Sequence, residues 1–207
     1  MQIRLMTLRL VVIALVLPLA WTQSMAQSEP HDSSHAHRAL DWCAVHLTRK
    51  ELVAALSDCN HAVARDSKSA AALSNRASVW LLAGEPKRAL VDIEAALMLT
   101  PNDPALYYNR GLAHAKLGEG RKAIDDYSEA IRRKPDFAIA YYNRGYEHER
   151  VGQWEAAISD YRRALAIAPD LKPAADALKR IPLPKGAEGE AIRNELQNLL
   201  RPQPRRR

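Results

Sequence analysis

Apolar, small and polar positions along the chain recur with a period of 34 residues. Small residues fall in register at Ala77 and Gly111, at Ala89, Ala123 and Ala157, and at Ala96, Ala130 and Ala164. Large apolar or aromatic residues share a column at Ile93, Tyr127 and Tyr161. Glycines align at Gly84, Gly118 and Gly152, and prolines at Pro101, Pro135 and Pro169. The segment Tyr107-Tyr108-Asn109-Arg110-Gly111 recurs letter for letter as Tyr141-Tyr142-Asn143-Arg144-Gly145. A fixed period of this length predicts one helical hairpin stacked on copies of itself. The small columns let two helices approach closely. The glycine column follows the first helix, where positive φ ends it. The proline column stops the second helix and starts the next unit.

With these columns in hand, the chain resembles the tetratricopeptide repeat family: a large residue, then leucine or arginine, Gly or Ala, a mid-repeat Ala, an aromatic, another Ala, then Pro. The resemblance implies an all-α, right-handed α-α superhelix. Its clear units are 70–103, 104–137 and 138–171, preceded by a degenerate copy at 36–69 that carries Lys50 for the glycine and Ser67 for the proline. Residues 172–181 read as a capping helix, 182–189 as a linker and 190–201 as a short amphipathic helix with Ile192, Leu196, Leu199 and Leu200 on one stripe. That stripe packs back on the solenoid or docks elsewhere. Residues 202–207 read as a basic, disordered tail.

Residues 1–26 stand outside the repeats. Arg4 and Arg9 precede an apolar run, Leu10 to Trp21, too short to span a membrane, and Ser24-Met25-Ala26 offers a small-x-small cleavage site. The expectation is a bacterial signal peptide cleaved near Ala26, a periplasmic (or secreted) mature protein and no integral membrane span. Cleavage removes two arginines and no acids, so the net charge falls from +6 to +4. The remaining excess is concentrated in the tail. No aromatic-interleaved basic patch is present, so nucleic acid is not an expected partner.

Two cysteines, Cys43 and Cys59, fall in the degenerate unit, in the columns of Ala77 and Ile93. Both columns face the hairpin interior, so the pair is a disulfide candidate in an oxidising compartment, two buried thiols being the alternative. His46, His114 and His148 share the column of Trp80 and read as packing residues. The segment 27–35 is expected to be disordered. Its His31 and His35, with neighbouring His37, are weak candidates for adventitious metal binding. No phosphate loop, zinc spacing or serine elbow occurs, so neither an enzyme nor a cofactor is expected.

Charges also repeat. Arg76, Arg110 and Arg144 share one column and Asp58, Asp92, Asp126 and Asp160 another, at levels suited to structural ion pairs within a unit or between units. Asp58 has Trp42 where its own arginine would stand, so a bridge to Arg76 is the expectation.

The resemblance further implies that the first helix of every unit lines a concave groove. The groove candidates are Asn75 and Ser78, then Tyr108, Asn109, Leu112 and Lys116, then Tyr142, Asn143, Tyr146 and Arg150. An asparagine ladder can pair with the backbone of an extended peptide, and tyrosines add apolar area with a polar tip. The alternative is that the asparagines support the inter-repeat turn. The two-carboxylate clamp of some family members is not supported, because only Asn109 fits its pattern. The functional expectation is a scaffold that binds another protein through an extended peptide segment. The other readings are self-association through the convex face or the C-terminal helix, and a metal-binding protein using the N-terminal histidines. Oligomeric state stays open.

Overall fold

The computed structural model describes residues 33–182 and 185–199. Ten α-helices occupy them: α1 (Ser33–Thr48), α2 (Leu52–Arg65), α3 (Ala70–Leu82), α4 (Pro86–Leu99), α5 (Pro104–Lys116), α6 (Gly120–Arg133), α7 (Ala138–Arg150), α8 (Trp154–Ile167), α9 (Lys172–Arg180) and α10 (Ala187–Leu199). From α2 to α9 each helix packs on its neighbour in the chain. The expected signal peptide, His31 and the basic tail lie outside the described residues. α1 begins at Ser33, so the segment read as disordered through residue 35 gives its last residues to a helix.

The turns follow from local chemistry. After each first helix one residue takes positive φ: Lys50 at 60°, Gly84 and Gly118 at 78°, Gly152 at 80°. That conformation lets the next amide reach back five residues, as Glu51 to the His46 carbonyl, Glu85 to Trp80, Glu119 to His114 and Gln153 to His148. Lys50 makes the same turn without glycine's freedom. Two helix starts are fixed by side chains: Ser69 accepts from the Ala72 amide, and Asp103 from the Ala105 amide.

Inside each hairpin one small and one large column meet. Ala77 is paired by column with Ile93, Gly111 with Tyr127 and Gly145 with Tyr161, all fully or nearly fully buried. A Cβ on Gly111 would lie 2.7 Å from the Tyr127 ring, and one on Gly145 3.0 Å from Tyr161. Glycine is thus the complement of tyrosine, and alanine of isoleucine, at one constant inter-helix spacing. In the first unit the same two columns hold Cys43 and Cys59, which form a disulfide with Cα atoms 5.0 Å apart. A covalent bond stands there in place of a large core side chain, whose burial contributes about 1.5–3 kcal/mol elsewhere.

The C-terminal end is closed. Ala174, Ala177 and Leu178 of α9, with Ile181, pack on Ala157, Tyr161 and Leu165 of α8, and Ile192 of α10 packs against the same cluster. The stripe therefore turns inward at Ile192. Arg180 ties α9 to α7 through Glu149 at 3.0 Å, and the buried Tyr161 hydroxyl donates to the same carboxylate. Among the described residues no helix is long and apolar enough to cross a membrane.

Candidate functional site

The first helices of successive units meet edge to edge along the stack. α3 touches α5, Asn109 Nδ2 lies 3.5 Å from Ser78 Oγ, and Asn143 Nδ2 donates to Tyr108 Oη at 3.0 Å. Through these contacts the first helices share one continuous face. It is the face on which the groove was expected.

Each expected residue of this face can be placed. Asn75 and Ser78 are half-buried, and Ser78 Oγ also donates to the Ser74 carbonyl. Tyr108 is half-buried, its ring 5.8 Å from Tyr127 and 5.0 Å from Phe137. Burial pushes its phenol above the usual range, partly offset by the bond from Asn143. Tyr142 leans on Tyr161 at 5.8 Å. Leu112 packs on the second-unit core, while Lys116 is exposed. The large apolar side chains open to solvent on this face are Tyr146, 42% exposed, and Leu82, 54% exposed. Asn109 and Asn143 already have partners in the neighbouring unit, and Tyr108 and Tyr142 are partly spent on core packing. Tyr146 and Leu82 are its exposed large apolar side chains.

Arg150 was expected as a groove residue and turns partly inward. Its guanidinium meets Glu147 at 3.0 Å, and Glu147 is buried to 2% exposure. Glu147 stands in the column of Val79 and Ala113, where the other units carry apolar residues. Its carboxylate lies against α6 of the preceding unit, 2.9 Å from where a Cβ on Gly120 would be. Gly120 is the first residue of α6, so the carboxylate faces a helix N-terminus, where negative charge is favoured. A charged residue in an otherwise apolar column was the available signal, and column reading passed over it.

The ion-pair columns meet within units. Arg76 grips Asp92 through Nε and Nη2 at 2.8 and 2.7 Å, Arg144 grips Asp160 in the same way, and Arg110 meets Asp126 at 2.6–3.0 Å. The three aspartates are buried. Hydrogen bonding to them holds the guanidinium pKa of each arginine above its usual value, against the opposing effect of desolvation. The spare Nη1 of Arg76 reaches Asn60, and that of Arg144 reaches Ser128, both on the preceding unit's second helix. The expected bridge from Asp58 to Arg76 does not form. Arg76 is committed to Asp92, and Asp58 pairs with His46 Nδ1 at 2.7 Å.

The histidine column belongs to the same network. His114 Nδ1 lies 2.6 Å from Glu119 and its Nε2 3.7 Å from Asp126, while His148 meets Gln153 and approaches Asp160 at 3.8 Å. The bond from His114, then that from Lys122, holds the Glu119 carboxyl below the usual range. Among the described residues no group of three His, Cys, Asp or Glu is placed to hold a metal ion.

With this geometry in view, residues 108–172 match the family model for the tetratricopeptide repeat. The solenoid is a tetratricopeptide repeat array. No curated protein matches the chain. Among solved structures, the tetratricopeptide array is similar to the MamA protein, with 21% identity over 81% of this chain and 88% of that one and a TM-score of 0.64. It is similar to the first repeat domain of Spaghetti (RPAP3) bound to an HSP90 peptide, with 26% identity over 56% of this chain and 92% of that one and a TM-score of 0.54. An O-GlcNAc transferase mutant from Thermobaculum terrenum shares the fold at 15% identity and a TM-score of 0.63, over 67% of this chain and only 27% of the transferase. The first and third likenesses speak to fold alone. Tetratricopeptide arrays are, as a class, protein-interaction modules and typically carry no catalytic centre of their own.

Proposed function

We propose that the tetratricopeptide array is a non-enzymatic scaffold that binds an extended segment of a partner protein along the first-helix face. The observation that carries this reading is Tyr146 and Leu82, large apolar side chains left exposed on a face where Tyr108, Asn109 and Asn143 are tied to a neighbouring unit and Tyr142 leans on Tyr161. A rigid floor with a few exposed apolar anchors is how interface hot spots are built. The similar Spaghetti domain, bound to an HSP90 peptide, supports the use of such a face for peptides. The clamp pattern for paired carboxylates is missing here, so the anchor chemistry is apolar. The N-terminal signal pattern supports action in the periplasm.

The test is site-specific photocross-linking in the native envelope, with the cross-linker at Tyr146 and, as control, at Val91 on a second helix. The reading expects discrete adducts from Tyr146 that disappear with Leu82→Glu, and none from Val91. Equal adducts from both positions would remove the first-helix face as the binding site.

A further inference from the structure

Three columns of each unit carry the contact with the unit before it. In the third unit these are Leu106, Arg110 and Ala113, and in the cap Ala174, Leu178 and Ile181, with every apolar member buried. Arg76 and Arg144 show what the middle column touches, since each reaches the preceding unit's second helix. In the first unit the same columns hold Arg38, Trp42 and Val45. Trp42 is 53% exposed and Val45 only half-buried. Terminal units of a solenoid ordinarily turn a polar face outward. This end instead offers an indole, stacked on His46 at 5.5 Å, on a surface shaped to receive a helix.

We propose that this end is where a second copy of the chain docks, α1 against α1 about a two-fold axis passing near Trp42. Three observations select that occupant. The surface continues the inter-unit interface, so its natural partner is a helix. In the mature chain expected from cleavage near Ala26, residues 27–32 precede α1, a length of less than two helical turns if helical. Among the described residues the core at the opposite end is covered by α9 and by Ile192 of α10, so head-to-tail stacking would meet a covered core there. Pairing like with like is then the arrangement that closes on itself. In an antiparallel crossing at Trp42, Val45 of each copy comes level with Ala39 of the other and His46 with Arg38, so small and apolar groups lie at the centre and polar ones flank them.

The column also supplies a variant that should fold. Trp42→Arg installs the residue found at this position in the other units and gives Asp58 the partner that Arg110 gives Asp126. Sedimentation equilibrium of the chain beginning at Gln27 is expected to show a reversible dimer. Trp42→Arg is expected to weaken it by about thirtyfold or more, the effect of removing an interface anchor, with helical circular dichroism and the Cys43–Cys59 disulfide intact. Tyr146→Ala is expected to leave the dimer unchanged, which separates this surface from the first-helix face. A wild-type chain that stays monomeric through the micromolar range overturns the proposal. So does a dimer that survives Trp42→Arg, or one that is lost on Tyr146→Ala.

Discussion

Replacing Gly111 by alanine sets two effects against each other in one helix. Alanine inside α5 gains about 1 kcal/mol in helix propensity over glycine. Its methyl, however, would lie 2.7, 2.8 and 3.2 Å from three atoms of the Tyr127 ring. Carbon atoms prefer about 3.5–4.0 Å, so the ring must retreat by nearly 1 Å. Tyr127 is 1% exposed and lies against Tyr108, which itself leans on Phe137, so the movement propagates. Overpacking of this kind costs about 1–3 kcal/mol, and three atoms of one rigid ring place it at the upper end. The net expectation is a loss of about 2 kcal/mol. For a domain of this size that lowers the melting temperature by about 4–8 °C. Differential scanning calorimetry measures it directly. The paired variant Gly111→Ala with Tyr127→Ile rebuilds the Ala77 and Ile93 combination of the second unit. It should show a favourable coupling of about 1–2 kcal/mol in a double-mutant cycle. If Gly111→Ala raises the melting temperature, propensity has won and the ring has room, and the reading of the two columns as volume complements fails.

Three further outcomes follow from the same packing. Reducing the Cys43–Cys59 bond should cost about 3 kcal/mol on the chain-entropy estimate, with hydrogen exchange rising in α1 and α2 and unchanged in α5 to α8. Arg144→Met leaves the buried Asp160 carboxylate without its bidentate partner. Urea denaturation should register a loss of about 3 kcal/mol, and one of under 1 kcal/mol would show that the charge is relieved by solvent. Burial keeps the Tyr127 phenol neutral and raises its pKa in the fold, so its contribution is whole below about pH 10, where free tyrosine begins to ionise, and is lost as pH climbs above that. Tyr127→Phe should therefore flatten the alkaline limb of the stability profile, and an unchanged slope would count against the assignment.

What the period of 34 conveys is which residues occupy equivalent places. That was enough to read the hairpins, the glycine turns and the facing arginine and aspartate columns, because each is a property of a position within one unit. It does not convey distances between units. The partners of Asn109 and Asn143 lie one unit back, on Ser78 and Tyr108, and no spacing within a unit reveals them. Asp58 was legible as an acid lacking its arginine. Its choice of His46 over Arg76 depended on whether Arg76 could serve two carboxylates, and the Asp92 fork takes both of the nitrogens that face it. Glu147 and Gly120 were hidden for a related reason: each departs from its own column, and only their contact across a unit boundary makes sense of both.

That contact bears on the interchangeability of the units. Two repeats that share Tyr-Tyr-Asn-Arg-Gly look like copies that could be deleted, duplicated or reordered without penalty. Removing the unit 104–137 and joining its neighbours would set the Glu147 carboxylate against Pro86, the residue that begins α4, where Gly120 begins α6. The ring would occupy the space that the missing side chain leaves open. The third and fourth units are therefore an ordered pair, and the parts that meet at that boundary have a fixed sequence.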